Sequence, residues 1–392
     1  MEIIAGDYCE LESGLFIDEI SNDQEETYIP VKNEIIGDIR SLSISSEKWD
    51  QLAGNFIFPM LQSSWVVAAA NAFSESESIQ VIISRKGEKV VAALPLASKG
   101  LLMPHLEILG SSTLQEPGGF IYDSEESLIS LVQFILSLKR PVYLHGLELN
   151  SLSVKVLLNE LDKNNDYEYR VAKSLIPYVK VEGEWKSFER TISSSRRSSF
   201  RRLLRKAESK GRVEFRAVTP NNENFTQYFE EVLRVEAANW KSKAGTAIKI
   251  NEALEVFFKE YASDLVRKGQ LRLFFMNIDN KPIAVQLTAV HANRLWIFKI
   301  GYDENWKFCS PGILLMNYVV KYCFEAGLDH CEFLGNDEEW LHTWANETHE
   351  LVNFTIYPVS LRGALAKIDS PLGYLMGRLK NAKYKWYKLN KG

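Results

Sequence analysis

Cysteine is scarce in this chain, with four in 392 residues, at Cys9, Cys309, Cys323 and Cys331. None stands in a C-x-x-C pair, and the six histidines show no H-x-x-x-H spacing, so the usual zinc-ligand patterns are missing and no metal is expected. Long apolar runs are absent as well. Stretches such as Trp65 to Phe73 and Val90 to Ala97 fall far short of the roughly 20 residues a membrane span requires. No secretory h-region follows Met1, which leads us to expect a reduced, cytoplasmic compartment. In that compartment the sequons at Asn346 and Asn353 carry no glycosylation meaning. Nor is positive charge in excess. Lysine and arginine total 46 against 51 aspartates and glutamates, giving a net charge of −5 and a pI near 5.9. This balance excludes general DNA binding, which needs an overall basic face, while leaving room for local basic patches.

What the chain does have is apolar content. At 46% hydrophobic, it is long enough to bury a substantial core, and its length suggests two domains. Residues 1–38 are acidic, with Lys32 the only basic residue, and read as an extension. Beyond them the chain repeats itself. Ile79 to Ser84, a turn at Lys86-Gly87 and Val90 to Leu96 predict one hairpin. Leu271 to Ile278, a turn at Asp279-Asn280 and Ile283 to Val290 predict another. Each is followed by a further strand, a helix and a strand: Glu125 to Leu138 then Val142 to Leu147 in the first half, Ile313 to Ala326 then Cys331 to Leu334 in the second. The parallel suggests two similar units, over 39–180 and 181–360, with a boundary near Leu175 to Trp185 where Pro177 and Gly183 punctuate the pattern. A basic tail, 361–392, follows.

The two halves differ between strand and helix. In the second half an apolar strand, Leu295 to Gly301, leads through a polar connection into Ser310-Pro311-Gly312-Ile313. Serine at the cap, proline in the first turn and glycine just inside leave backbone N–H groups uncovered at a positive helix end, where a pyrophosphate docks well. The first half has Glu116-Pro117-Gly118-Gly119-Phe120-Ile121-Tyr122-Asp123 there. Apolar residues separate its glycines from the helix start, so this half is expected to shape an acceptor cleft or complete the core rather than to hold a cofactor.

Gly301-Tyr302-Asp303 followed by Ser310-Pro311-Gly312-Ile313-Leu314-Leu315 resembles the GNAT acetyltransferase superfamily, and more narrowly the CelD-like acetyltransferases associated with polysaccharide biosynthesis. Ser195-Arg196-Arg197 with Arg201 and Arg202 fits that resemblance. So do Glu236 with Trp240-Lys241 and Gly245-Thr246, and Phe333-Leu334-Gly335 with Asp337. Together these pieces cover roughly Trp185 to Tyr357. Ser-Pro-Gly stands where many of these enzymes carry Arg/Gln-x-x-Gly-x-Gly/Ala. The resemblance implies an α/β fold of two tandem GNAT-like units, each a mixed, mostly antiparallel sheet flanked by helices, an arrangement also found in Fem-type aminoacyl ligases. It implies acetyl-CoA or another acyl-CoA as co-substrate, held by Ser310, Pro311, Gly312 and Ile313. It further implies direct N- or O-acyl transfer in a ternary complex to a cell-envelope or exopolysaccharide acceptor. The alternatives are an aminoacyl-tRNA-dependent ligase of Fem type, the one case in which tRNA is a partner, and a non-catalytic scaffold.

Acyl transfer needs a base for the acceptor, and Glu236 and Asp337 are the candidates. Tyr302, at the exit of its strand, is a candidate acid. Lys299 interrupts an apolar strand expected to be paired on both edges, so its ammonium must find a carboxylate or lose its proton; Asp337, at the end of the neighbouring strand, is the candidate partner, in a structural or a substrate-orienting role. Cys309, just before the helix opening, should have its thiol pKa depressed by the dipole, which makes a ping-pong nucleophile imaginable. A helix after Ser193 places Phe200, Leu203, Leu204 and Ala207 on one face. Its other faces carry Arg196, Arg197, Arg201, Arg202, Arg205 and Lys206, opposed only by Glu208. Arginine in that density suits a phosphate-bearing acceptor, with Arg196, Arg197, Arg201, Trp240 and Lys241 as candidate substrate contacts. The tail from Leu375 alternates basic residues with Tyr384, Trp386 and Tyr387, a composition that fits peripheral contact with the inner face of an anionic membrane.

Overall fold

The computed structural model describes residues 29–37, 46–74, 78–100, 104–238, 248–335 and 337–367. The first half contains β1 (Val31–Ile36), α1 (Ser46–Ala53), α2 (Ser63–Phe73), β2 (Ser78–Lys86), β3 (Lys89–Lys99), β4 (His105–Ile108), α3 (Ser111–Leu114), β5 (Ile121–Tyr122), α4 (Glu125–Ser137), β6 (Val142–Glu148), α5 (Leu152–Asp162) and β7 (Tyr167–Lys180). The second half adds α6 (Trp185–Thr191), α7 (Ser194–Glu208), β8 (Val213–Val218), α8 (Phe225–Ala237), α9 (Glu252–Arg267), β9 (Leu271–Ile278), β10 (Lys281–His291), β11 (Arg294–Tyr302), α10 (Pro311–Glu325), β12 (His330–Glu332) and β13 (Glu347–Pro358).

The duplication read from the sequence is present in the backbone. β2 and β3 form an antiparallel hairpin continued by β4, and after α4 the chain returns as β6, parallel to β4. β9, β10 and β11 repeat the antiparallel run, and after α10 the chain returns as β12, parallel to β11. The β9–β10 turn has both central residues left-handed, Asp279 at φ 47° and Asn280 at φ 65°, which is the twist a two-residue hairpin needs. All strands except β5 line up in one sheet in the order β1-β2-β3-β4-β6-β13-β7-β12-β11-β10-β9-β8. β13, last in the chain, inserts between β6 and β7, so the seam between the halves is a hydrogen-bonded ladder.

Side chains reinforce that seam. Trp65 of α2 packs edge-on against Phe257 at 4.8 Å and Tyr261 at 5.0 Å of α9, and tilts over Phe298 of β11 at 5.6 Å. Such aromatic pairs are worth about 0.5–1.5 kcal/mol each beyond their burial. Two further cores lie on the opposite side, one under α4 and α5 and one under α7 and α10. Among the described residues no helix is long and apolar enough to cross a membrane.

Two expectations change. The second helix begins at Pro311 rather than Ile313, and the strand after it ends at Glu332, because Leu334 (φ 57°) and Gly335 (φ 69°) turn left-handed and leave the ladder. β11 is therefore not paired on both edges along its length. β12 covers only Arg294, Leu295 and Trp296, and beyond them the two strands part. Lys299 lies in that opened stretch.

Candidate functional site

The parting of β11 and β12 opens a cleft, and the start of α10 closes one end of it. After β11, Asp303 accepts from Asn305 N at 3.0 Å and turns the chain through Glu304–Cys309. Ser310 then sits in the left-handed region at φ 47°. Its carbonyl accepts from Ile313 N at 3.0 Å and Leu314 N at 3.3 Å, while its side chain makes no capping bond. Pro311 has no N–H to satisfy, and a Cβ added at Gly312 would meet only Tyr302 Cδ1, at 3.5 Å. The helix end thus presents bare backbone to a cleft of ≈ 400 Å³ lined by Gln286, Tyr302, Lys307, Ser310, Gly312 and Ile313 among others. A diphosphate fits such a cradle, since the macrodipole and the Gly312 N–H are directed at it.

Gly301 is required just before the turn. A Cβ there would stand 2.6 Å from Glu236 Cα, so the exit of β11 touches the backbone of α8. Glu236 itself is 1% exposed, and its Oε2 accepts from Ile248 N at 3.0 Å. It braces the floor of the cleft and is not among the side chains that line it.

A second chamber of ≈ 240 Å³ adjoins the first, and Ile300, Glu338 and Trp340 line both. Lys299 and Met316 face it, and so do Gln115 and Glu116 from the first half. Lys299 Nζ lies 5.0 Å above the Phe258 ring, and its charge acts on Glu116. Burial pushes the Glu116 carboxyl up to about 7, against the opposing pull of Lys299. Its Oε2 is buried with no hydrogen-bond partner. Sequence reasoning noted Glu116 only as the first residue of the segment between strand and helix in the first half. The available signal was a lone carboxylate entering an otherwise apolar and glycine-rich segment.

Asp337 does not pair with Lys299. The left-handed step at Leu334 and Gly335 carries it outward, where it is exposed and lies 2.7 Å from His342 Nε2. The depressed thiol expected at Cys309 is also corrected. Cys309 is fully buried, donates to Trp306 O at 3.1 Å, and burial pushes its pKa up. That direction disfavours a thiolate nucleophile.

The arginine helix forms as expected. Ser193 caps α7 by accepting from Arg196 N at 3.3 Å, Ala207 is buried, and Phe200 stacks flat on Trp344 at 5.7 Å. Arg196, Arg201, Arg202, Arg205 and Lys206 are exposed, whereas Arg197 Nε is buried without an acceptor. Lys206 acts electrostatically on Cys309, the residue before Ser310, so the Lys206 end of this basic face borders the helix mouth. Trp240 and Lys241 lie outside the described residues. Among the described residues no group of three or more His, Cys, Asp or Glu is placed to hold a metal ion.

Residues 194–341 match the family model described as the acetyltransferase (GNAT) domain. That span runs from the arginine helix to the Trp340 wall of the second chamber. The fold likeness reaches further. The crystal structure of FemX aligns at 11% identity over 83% of this chain and 98% of its own, with a TM-score of 0.55. The C-terminal domain of a protein assigned as a lysylphosphatidylglycerol synthetase from Agrobacterium fabrum aligns at 12% identity over 83% and 95%, with a TM-score of 0.51. At such identities these likenesses are of fold alone. No curated protein matches the chain.

Proposed function

We propose that the chain is an acyl-coenzyme A-dependent N- or O-acyltransferase in which the start of α10 holds the diphosphate of the donor and the adjoining chamber receives the acceptor. The observation that carries this reading is the uncapped helix end at Ser310-Pro311-Gly312, open to a cleft in the span that matches the GNAT domain. The Ser310 to Ile313 turn binds the donor through the Gly312 N–H and the positive end of the helix, and Lys307 adds positive charge. The basic face of α7, with Arg196, Arg197 and Arg201, borders the same mouth at its Lys206 end and neutralises phosphate there, on the donor or on a phosphate-bearing acceptor. Tyr302 stands beside Gly312 and is the proton source for the departing sulfur. Lys299 orients the acceptor in the second chamber. Glu236 supports this machinery from beneath, and Asp337 lies at its rim.

Acetyl-CoA is the donor this reading favours, with direct transfer in a ternary complex. The CelD-like resemblance points to a saccharide of the cell envelope or an exopolysaccharide as acceptor, and to action at the cytoplasmic face of the membrane, with the basic tail against the lipid. Residues 368–392 of that tail lie outside the described residues. Calorimetric titration with acetyl-CoA tests the donor assignment. Saturable micromolar binding is expected, and no binding together with binding of aminoacyl-tRNA would replace it with the ligase alternative.

A further inference from the structure

We propose that Glu116, delivered from the first unit, takes the proton from the incoming nucleophile in the second unit's chamber, so that the active site is built from both units. This deepens the acyltransferase reading and rests on it.

Position is the first argument. Glu116 and Lys299 line one chamber, and that chamber shares Ile300, Glu338 and Trp340 with the cleft at the helix mouth. An acyl group bound at the mouth and a nucleophile bound beside Glu116 therefore approach each other across this shared lining. The other carboxylates nearby are engaged elsewhere. Glu338 is exposed and accepts from the Trp340 indole, Asp337 is exposed beside His342, and Glu236 lies beneath the floor.

Satisfaction is the second argument. A buried carboxylate normally spends its oxygens on donors. Glu107 accepts from Ser112, Glu160 from Gln133 and Lys163, Glu236 from Ile248 N, and Glu332 from Arg294 and His349. Glu116 Oε2 has no donor, which leaves it available to a ligand's N–H or O–H.

Rigidity is the third. The segment that carries Glu116 is wedged between the diverging ends of β4 and β6. Gly118 lies so close to Ile108 that a Cβ would meet its side chain at 2.9 Å, and a Cβ on Gly146 would meet Pro117 Cα at 2.7 Å. Gln115, at φ 58°, turns the chain into this wedge. A carboxylate held this way is preorganised, which a general base requires.

The step balances without a further reactant. The nucleophile, an amine or a hydroxyl, gives its proton to Glu116 Oε2 as its lone pair forms a C–N or C–O bond at the thioester carbonyl carbon. The C–S bond breaks, and sulfur leaves with the electron pair as a thiolate that takes a proton from Tyr302 or solvent. Glu116 then returns its proton to solvent. The titratable groups that act on Glu116 are Lys299 of β11 and Tyr261 of α9, with Glu338 across the chamber. A carboxyl midpoint of about 7 places the base near neutral pH, where such catalysis is most effective.

The test uses the full chain with acetyl-CoA, water serving as the acceptor, and follows thiol release against pH alongside calorimetry and the infrared carboxyl band. Wild-type turnover should rise with pH through about 7, and Glu116→Gln should lower it by roughly a hundredfold or more and abolish that limb, while acetyl-CoA affinity stays within about threefold of wild type. Binding with turnover and pH limb unchanged in Glu116→Gln overturns this proposal alone. No binding of acetyl-CoA to the wild type overturns the donor reading and this proposal with it. Where the wild type binds acetyl-CoA without releasing thiol, the infrared band decides. A carboxyl titrating near 7, absent in Glu116→Gln and shifted by acetyl-CoA, supports the proposal, and no such band overturns it.

Discussion

In the first unit β4 and β6 pair in parallel over Leu106↔Val142 and Glu107↔Tyr143 and then part; in the second, β11 and β12 pair over Arg294↔His330 to Trp296↔Glu332 and do the same. What fills the two openings differs. The first is plugged by its own chain, with Pro117 against Gly146 and Gly118 against Ile108. Its helix α4 is covered at the start, where Ser124 Oγ accepts from Ser127 N at 3.3 Å and Asp123 Oδ1 accepts from Ser127 Oγ at 2.9 Å. Among the described residues the second opening holds no such wedge, and its helix starts without a side-chain cap. Duplication supplied two clefts of one design; closing one left it able to present a carboxylate to the other. The comparison teaches that the inactive-looking unit is a wall of the site rather than a spare copy.

The strongest way to break this contrast is to plug the open cleft. Gly312→Phe places a ring where the added Cβ meets only Tyr302 at 3.5 Å, so the fold should persist while the ring occupies the mouth. Acetyl-CoA binding measured by calorimetry should weaken about a hundredfold or more, about 2.7 kcal/mol. Unchanged affinity with an unchanged melting temperature would remove the donor site from α10.

Unplugging the closed cleft is the reciprocal experiment. Gly146 has φ +69°, and a Cβ there would stand 2.7 Å from Pro117 Cα. Gly146→Ala combines an unfavourable backbone conformation with overpacking, and should cost about 2 kcal/mol in a urea titration. Acetyl-CoA affinity should hold, because the donor cradle lies wholly in the second unit.

Much of this contrast was legible in the sequence, for reasons that can be named. The hairpins announce themselves because Gly87, Asp279 and Asn280 supply left-handed turns between alternating strands. The helix mouth does so because serine, proline and glycine have positional meanings at helix starts. The seam was not legible. β13 pairs with β6 across about 200 residues of chain, for example Leu351 with Glu148, and no local periodicity encodes such a partner. Lys299 was flagged as needing a carboxylate, but the carboxylate its charge acts on, Glu116, belongs to the other unit, which spacing along one unit does not indicate. Asp337 looked well placed because Gly335 follows a strand, yet two consecutive left-handed residues turned it to solvent.

A smaller effect sharpens the role of the plug. The Glu116 carboxyl is raised from an ordinary 4.5 to about 7, so the native chain binds more protons than the unfolded chain between those values. Stability should therefore fall as pH rises through this window. Glu116→Gln lacks that penalty. Relative to wild type it should match near pH 4 and gain about 1–2 kcal/mol by pH 8, allowing for screening in a chamber open to solvent. Parallel urea titrations at the two pH values check this, and equal offsets at both would mean that Glu116 ionises as freely when folded as when unfolded.

The smallest expected effect separates the two helix starts. Ser124 caps α4 through Ser127 N, with its own backbone extended at φ −149°. Ser124→Ala removes that bond and should cost about 1 kcal/mol of stability, without touching acetyl-CoA affinity. Ser310 does no such capping, and its strain at φ 47° favours glycine, so Ser310→Gly should be neutral or stabilising by about 0.5 kcal/mol. Opposite signs at two serines in equivalent places mark one helix end sealed by its serine side chain and the other left without that cap. Thermal denaturation of the two variants, each with and without acetyl-CoA, reads both signs at once. The ligand should raise the midpoint of Ser124→Ala by as much as that of wild type, because stabilisation by a ligand depends only on its affinity for the native state.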